Sequence, residues 1–257
     1  MRYQITSYIK FLLSSSNQHG IHSPFVYELT TKCFYQRKKW AEYKTLSTIR
    51  KRLRNTNETI SVTDFGAGSR VFTSNERSIS AIAKNAGITA KRQQLLFRLV
   101  RFLQPKQVLE LGTSVGLATS ALALGAPSAR VLTVEGCPAT MAVAKEIFEA
   151  FHLTSIENLN QTFEQFFAKK EPLKYDLVFI DGNHSKDRTL EYFKALLPYC
   201  HNETLLIFDD IYWSEAMTEA WKEISAHPTV TVSIDTYQWG LVFFRKEQPK
   251  QHFAIRL

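Results

Sequence analysis

The stretch from Gln107 to Ala123 combines a short apolar run with two spaced glycines. Residues 108–111 have the length of a buried strand, the run breaks at Gly112, and a helical pattern of small residues resumes after Gly116. Glycines at the carboxyl end of a strand leave the backbone bare where open α/β sheets bind ligands. The spacing E-x-G-x-x-x-G matches neither the dinucleotide-binding glycine pattern nor the phosphate-binding loop. It therefore predicts a nucleoside ligand without phosphates.

A second apolar strand, Val131–Glu135, follows one strand-helix unit later and ends in a carboxylate. An acidic residue at this position can accept hydrogen bonds from both ribose hydroxyls, and it rejects a 2′-phosphate. We therefore expect Glu135 to be the ribose-binding half of the same site.

Two later strands also end in carboxylates. Residues 177–180 lead directly into Asp181, and residues 205–208 lead into Asp209 and Asp210. The tips of neighbouring parallel strands can converge, and clustered carboxylate oxygens are the ligands that Mg²⁺ and Ca²⁺ prefer. The sequence leaves a structural interpretation open, in which Asp181 holds an amine of the ligand or caps a helix, while Asp209 and Asp210 cap the helix expected over 214–225.

The residue sequences of these motifs are similar to those of a known protein family. VLELGTSVG followed by VLTVEG resembles the class I S-adenosylmethionine-dependent methyltransferases, and ELGTS resembles their catechol O-methyltransferase-like, cation-dependent branch; HGIHSPFVYEL resembles the start of uncharacterised bacterial members. The resemblance implies S-adenosyl-L-methionine as cofactor. The residues expected to bind it are Glu110, Gly112, Thr113, Ser114, Gly116, Glu135, Gly136, Thr162 and Asp181.

The resemblance also implies a reaction and a metal. In the cation-dependent members an Asp and an Asp-Asn pair bind the cation, so Asp181, Asp209 and Asp210 are the expected ligands of Mg²⁺ or Ca²⁺, with Asp210 replacing the usual Asn. The family's catalytic lysine falls three residues after the first Asp, where this chain has His184. Histidine has an unperturbed pKa of about 6.5, which suits a general base. Lys186 is the alternative base if the loop is shifted.

The fold implied by the resemblance is α/β and Rossmann-like. We expect a doubly wound, seven-stranded, mostly parallel sheet with a C-terminal antiparallel hairpin, plus a mainly helical N-terminal cap. The predicted domains are a cap over 1–88, which shapes the acceptor site, and a methyltransferase domain over 89–257. Residues 252–257 are expected either to add an edge strand or to lie across the domain.

A second glycine-containing stretch lies within the predicted cap. Residues 64–69, DFGAGS, are similar to the D-x-G-x-G loop of other methyltransferases, but a polar stretch follows where a helix of small residues is expected. We therefore assign this loop to the cap beside the substrate entrance and not to the cofactor site.

The net charge of +8 is concentrated in one segment. Residues 32–54 hold nine Lys or Arg residues and one acid, Glu42, so this segment accounts for the whole excess. One interpretation is an arm that binds RNA, other anions or a membrane surface, with Trp40 and Tyr43 among the aromatics that stack on bases. The interpretation we favour is a solvated helical face whose aromatic side chains pack inward.

Length and composition are those of a globular enzyme. The chain has 257 residues, 44% of them hydrophobic, and its three cysteines are too far apart to indicate a disulfide framework or a zinc site. The N-terminal apolar stretch is too short for a membrane span. We expect a cytoplasmic enzyme that methylates an oxygen of a small-molecule acceptor. An RNA methyltransferase, a non-catalytic cofactor-binding protein and a homodimer remain open alternatives.

Overall fold

The computed structural model describes residues 2–65, 72–169 and 173–257. Its α-helices, in chain order, are α1 (Arg2–Ser14), α2 (Pro24–Leu29), α3 (Glu42–Arg54), α4 (Ile79–Asn85), α5 (Ala90–Leu103), α6 (Leu117–Gly125), α7 (Pro138–Ala150), α8 (Phe163–Ala168), α9 (Lys186–Leu196) and α10 (Glu215–Ala226). Shorter helical turns are Gln18–Gly20, Thr30–Phe34 and Leu197–Tyr199.

The β-strands alternate with helices through the middle of the chain. They are β1 (Thr59–Ser61), β2 (Glu76–Ser78), β3 (Gln107–Leu111), β4 (Arg130–Glu135), β5 (Ile156–Asn160), β6 (Leu177–Ile180), β7 (Leu205–Asp209), β8 (Val232–Asp235), β9 (Trp239–Phe243) and β10 (Gln251–Ala254). This alternation is the chain order expected of an α/β fold with parallel strands.

Two compact units are formed. One contains Met1–Tyr35 together with Glu171–Leu257, and the other contains Gln36–Lys170. The proposed functional division at residue 88 is a different partition, and it stays a prediction.

In the first unit the strand order is β10-β8-β9-β7-β6. Strands β6 and β7 are parallel, whereas β9 is antiparallel to both β7 and β8. All four residues of β6 and all five of β7 are buried, as expected for strands covered on both faces. Helix α1 belongs to this unit because the Tyr3 hydroxyl donates to Thr218 Oγ1 (2.7 Å) and the Tyr237 hydroxyl donates to the Gln4 carbonyl (2.6 Å).

In the second unit the strand order is β3-β4-β5, all parallel. The register pairs Leu111 with Val134, so Gly112 and Glu135 follow at the same edge of the sheet. Helices α5 and α6 contact each other closely, and an added Cβ at Gly125 would lie 2.8 Å from the Phe97 carbonyl oxygen. Glycine at position 125 of α6 is therefore required for this helix contact.

The predicted fold class is confirmed, with one more strand than expected. The main strands number three in one unit and five in the other, eight in the described residues against the predicted seven. The additional strand is β10, which pairs in parallel with β8 and lies where an edge strand was one of the two expected outcomes. The C-terminal antiparallel hairpin is β8-β9.

The glycine-containing loop of the predicted cap is only partly described. Residues 66–69 of the DFGAGS loop lie outside the described residues, so only Asp64 and Phe65 of that motif are placed.

Within the described ranges, no helix is both long enough and apolar enough to cross a lipid bilayer.

Candidate active site

The glycine loop between β3 and α6 adopts the conformation that the motif predicts. Gly112 and Gly116 have φ values of 106° and 79°, and Ser114 between them has φ 50°. The Gly112 N–H donates to the Val134 carbonyl (2.9 Å), which joins the loop to the end of β4. An added Cβ at Gly116 would lie 2.6 Å from the Phe148 ring. Both the left-handed backbone and the lack of space therefore require glycine at position 116.

Glu110 is a fully buried carboxyl directly behind this loop. Its Oε2 accepts hydrogen bonds from Thr119 Oγ1 and Thr133 Oγ1, both at 2.5 Å, while Thr113 and Thr133 are also 2.5 Å apart. Its Oε1 is buried and has no hydrogen-bond partner among the described residues. Burial is the main cause that raises the pKa of Glu110 to about 7, and the nearby Glu135 adds to the increase.

Glu135 connects the loop to the next strand. Its Oε2 accepts the Ser114 N–H and its Oε1 accepts the Cys137 N–H, each at 2.8 Å. Burial raises the pKa of Glu135, and these backbone hydrogen bonds oppose the increase. The Gly136 N–H and the Thr140 hydroxyl also favour the charged form of Glu135. An ionised carboxylate accepts about four hydrogen bonds, so Glu135 is an acceptor to which ribose hydroxyls can bind.

The other residues predicted to bind the cofactor have different surroundings. The Phe65 ring lies directly against Gly136, so that a Cβ added at this glycine would be 2.8 Å from the ring. Thr162 caps α8 by accepting the Gln165 N–H, and the Gln165 side chain accepts the Thr162 N–H in return. The hydroxyl of Thr162 thus has a structural role in the described chain, and its cofactor role stays a prediction.

The first carboxylate of the other unit lies in a tight turn. Asp181 follows β6, and its Oδ1 is 3.7 Å from His184 Nε2. Asn183 and His184 have φ values of 66° and 31°, an uncommon pair of left-handed residues that bends the chain sharply after Gly182. The His184 ring lies beside the Trp213 ring, with centroids 5.4 Å apart and planes at 33°. The structure therefore places His184 beside Asp181, and the catalytic roles of both residues stay predictions.

Asp209 and Asp210 end the neighbouring strand. The register pairs Ile180 with Phe208, so Asp181 and Asp209 follow at the same edge. Asp209 is buried, and its Oδ1 accepts the Asp210 N–H (2.9 Å); Asp210 has φ 51°. In the part of the chain that the structure describes, no three His, Cys, Asp or Glu residues are grouped as metal ligands. The residue that caps α10 is Ser214, which accepts the Met217 N–H.

Lys186, the alternative base, is engaged elsewhere. Its ammonium forms ion pairs with Glu219 (3.1 Å) and Glu223 (2.6 Å) on α10. These two carboxylates raise the pKa of Lys186, because they favour its charged form. A protonated lysine cannot accept a proton, so the geometry favours His184 over Lys186 as the base.

The sequence analysis named neither Trp213 nor Phe65 as a site residue. Trp213 lies beside His184, and only its position three residues after Asp210 could have indicated this. Phe65 lies on Gly136 although the two are 71 positions apart, and no periodic pattern predicts such a contact.

Comparison with known proteins identifies the central segment. The sequence model of a family described as "Methyltransferase domain" matches residues 109–211, which begin in β3 and include the glycine loop, Glu135, Asp181 and Asp210. Residues 109–211 thus match the methyltransferase-domain family.

Relatives of this methyltransferase domain extend the match. A catechol O-methyltransferase of Niastella koreensis is 29% identical over 134 residues, which are 48% of this chain and 58% of the relative. The SAH-bound methyltransferase PaMTH1 of Podospora anserina superposes with TM-score 0.63 at 14% identity over 88% of this chain and 97% of its own. An O-methyltransferase of Bacillus cereus in complex with SAH gives TM-score 0.56 at 16% identity, over 84% and 96%. The predicted resemblance to O-methyltransferases is confirmed; the two solved structures support the fold.

Proposed function

We propose that the protein transfers a methyl group from S-adenosyl-L-methionine to an oxygen of a small-molecule acceptor. The observation that carries this proposal is the hydrogen bond between the Ser114 N–H and Glu135, which holds a glycine loop and a ribose-type carboxylate together within a methyltransferase domain. The relatives named above, one a catechol O-methyltransferase and one an O-methyltransferase in complex with SAH, support the choice of cofactor and of acceptor atom.

The residues around the glycine loop fit this cofactor. Glu135 has acceptor positions for the ribose hydroxyls, and the bare backbone of Gly112 allows close approach of a ligand. The buried Oε1 of Glu110 is an acceptor without a donor among the described residues. Glu135, Gly112, Ser114 and Gly116 would hold the nucleoside part, while Glu110 would fix the loop through Thr119 and Thr133.

Asp181, His184, Asp209 and Asp210 follow or end strands β6 and β7, and we call this group the β6–β7 edge. Its residues would position and deprotonate the acceptor. When bound, S-adenosylmethionine supplies an electrophilic methyl group on a sulfonium. Displacement at a methyl carbon needs the acceptor oxygen in line with the leaving sulfur, so positioning is the main contribution of the chain. His184 would remove the acceptor proton at Nε2, and Asp181, 3.7 Å from that atom, would stabilise the imidazolium that results.

Cation assistance from Asp181, Asp209 and Asp210 is a separate hypothesis within this proposal. The three carboxylates are not grouped as metal ligands in the described residues, and one oxygen of Asp209 accepts a backbone N–H. We therefore derive no step through a cation. A calorimetric Mg²⁺ or Ca²⁺ titration that gives no heat with the wild type would remove this hypothesis and leave the methyltransferase proposal intact.

A small acceptor is preferred over RNA because of the aromatic residues in the basic segment. Trp40 and Tyr43 both pack against Phe97, with ring centroids 6.0 and 5.4 Å apart, and Trp40 is also covered by the guanidinium of Arg101 at 4.2 Å. These rings are thus engaged within the protein, as in the solvated-face interpretation. The exposed cations of α3 keep RNA as the alternative acceptor; a cytoplasmic location and a homodimer also stay predictions.

The first test is calorimetric titration of SAH into the wild type and two glutamate variants. Glu135→Ala removes the ribose acceptor and two bonds to backbone N–H groups, so we expect affinity to fall by about 100-fold or more, since each hydrogen bond to a charged group is worth about 1.5–3 kcal/mol. Glu157→Ala is the matched control, because its carboxylate is in an exposed ion pair with Arg130 on the same sheet. Undetectable binding to the wild type would overturn the proposal.

The second test separates the enzyme from a non-catalytic cofactor-binding protein. Isotope-labelled S-adenosylmethionine is incubated with the wild type and a panel of catechols, including 3,4-dihydroxybenzoate, and with total RNA. Label in a catechol supports the proposal, whereas label in RNA alone would move the function to the basic segment. Cofactor binding without transfer to either would support a non-catalytic role.

A further inference from the structure

Phe65 is an exposed aromatic residue beside the proposed nucleoside site. Its side chain keeps 53% of its surface exposed, although the ring lies directly on Gly136. An added Cβ at Gly136 would be 2.8 and 2.9 Å from two ring atoms. Gly136 follows Glu135 at the tip of β4, so the ring contacts the residue next to the ribose-type carboxylate.

The position of Phe65 is set by the residues that precede it. The Val62 N–H donates to the Asn75 carbonyl (2.8 Å), which extends the antiparallel β1-β2 pair. The Thr63 N–H lies 3.4 Å from Cys137 Sγ, and Asp64 forms an ion pair with Arg77 (3.3 Å). The contacts of Val62 and Asp64 fix this segment to the hairpin, and the contact of Thr63 joins it to Cys137, two residues after the end of β4.

The chemistry of this location matches the base of a nucleoside. Around Gly136 the backbone acceptors are already used, since Asn160 Nδ2 donates to the carbonyls of Glu135 (2.7 Å) and Gly136 (3.3 Å). What the site still offers is an aromatic surface, and flat heteroaromatic rings stack on such surfaces. A ligand that covers an exposed phenylalanine ring gains free energy, because apolar surface is removed from water.

We propose that Phe65 forms one wall of the adenine subsite, stacking on the base of the nucleoside whose ribose Glu135 holds. This inference rests on the proposed function, because it requires S-adenosylmethionine or SAH as ligand. It gives Phe65, which lies in the loop 64–69 that the sequence assigned to the cap beside the substrate entrance, a role in cofactor binding. Phe65 is then a cofactor-binding residue supplied from outside the segment 109–211 that matches the family.

The test measures the affinity of two ligands that differ by the base. SAH carries adenine, and S-ribosylhomocysteine has the same ribose and amino acid without it. Phe65→Ala is expected to weaken SAH binding roughly tenfold, since stacking of one base on an aromatic side chain is worth about 1–3 kcal/mol. Affinity for S-ribosylhomocysteine, measured by competition with SAH, should stay unchanged. Phe65→Tyr keeps the ring and should restore SAH affinity.

The controls separate this inference from the function on which it rests. Tyr27→Ala removes an aromatic ring of similar exposure, 48%, in the other unit, and should not change SAH affinity. If the wild type fails to bind SAH, the proposed function fails. If the wild type binds SAH and Phe65→Ala binds it equally well or more tightly, or loses both ligands equally, the stacking role is overturned. Thermal unfolding of each variant shows that the protein is folded during the titration.

Discussion

The glycine loop and the β6–β7 edge differ in the groups that fix their candidate site residues. In the glycine loop the key carboxylate, Glu135, is fixed by two backbone N–H groups, and its partner Glu110 is fixed by two threonine hydroxyls. At the β6–β7 edge the candidate base, His184, lies in a left-handed turn beside one aromatic ring and one carboxylate. The first site is built from backbone geometry, and the second depends on side chains.

This difference determines what each site can tolerate. A loop fixed by glycines and backbone hydrogen bonds is strained when a Cβ is added at Gly116, because the backbone there is left-handed and the Phe148 ring would have to move. Side chains at a strand edge can be exchanged with little effect on folding, so substitutions there act on chemistry. Stability changes should therefore concentrate in the loop, and turnover changes at the edge.

The largest expected effect is on turnover at the β6–β7 edge. His184→Gln keeps the polarity and approximate size of the side chain but removes the basic nitrogen, so we expect kcat to fall by about 100-fold or more, within the range usual for general bases. Affinity for SAH should stay unchanged. Methyl transfer to whichever acceptor the catechol and RNA panel identifies provides the measurement.

Lys186→Met is the matched comparison for the same assay. Its ion pairs with Glu219 and Glu223 are on the surface, so their removal should change stability little and leave kcat within twofold. The opposite result, with turnover lost in Lys186→Met and kept in His184→Gln, would assign the base to the lysine and contradict the geometry.

The sequence predicted the glycine loop better than the β6–β7 edge for a physical reason. The positive φ values at Gly112 and Gly116 follow from residue type, since glycine adopts them without strain, and the register of two apolar strands fixes the position of Glu135. Backbone-determined features of this kind are local and can be read from a motif. The parallel strands and the C-terminal hairpin were predictable for the same reason.

Features that depend on distant side chains could not be predicted in this way. The ion pairs of Lys186 involve residues 33 and 37 positions away, and the contact of Phe65 with Gly136 spans 71 positions. Strand β10 pairs with β8 although β9 lies between them in the chain, and the sequence left open whether residues 252–257 form an edge strand. The motif at residues 64–69 gave no indication of the contact between Phe65 and Gly136. Such contacts arise from tertiary structure, for which one sequence contains no periodic signal.

The next largest effect is on the stability of the loop. Gly116→Ala places a Cβ in a left-handed backbone and 2.6 Å from the Phe148 ring, so we expect the free energy of unfolding to fall by about 2–5 kcal/mol. Urea denaturation followed by circular dichroism measures this loss. Gly20→Ala is the control, because its added Cβ would lie 3.1 Å from a serine side chain in the other unit. Equal midpoints for both variants would show that the loop tolerates the added atom.

The smallest effect concerns the pH dependence of stability that Glu110 introduces. Its folded pKa of about 7 lies above the value of an unfolded glutamate, so between these two values the native state binds more protons than the unfolded state. The stabilisation is complete below the unfolded pKa and is lost as the pH rises through about 7. The loss is at most about 3–4 kcal/mol, at 1.36 kcal/mol per pKa unit. Glu110→Gln removes the titrating group, so stability should depend less on pH across this window.

The informative quantity is the difference between the free energies of unfolding of Glu110→Gln and the wild type, each measured as a function of pH. Subtracting the wild-type free energy of unfolding from that of Glu110→Gln at each pH cancels the other titrating groups, and the amide's own cost is independent of pH. We expect this difference to grow in favour of the variant from pH 4.5 to pH 8, as measured by urea denaturation. Glu157→Gln, which alters an exposed ion pair, should give a flat difference over the same range. Parallel curves for wild type and Glu110→Gln would mean that Glu110 remains ionised when buried, and that the two threonine hydroxyls and an unseen donor at Oε1 balance the cost of burial.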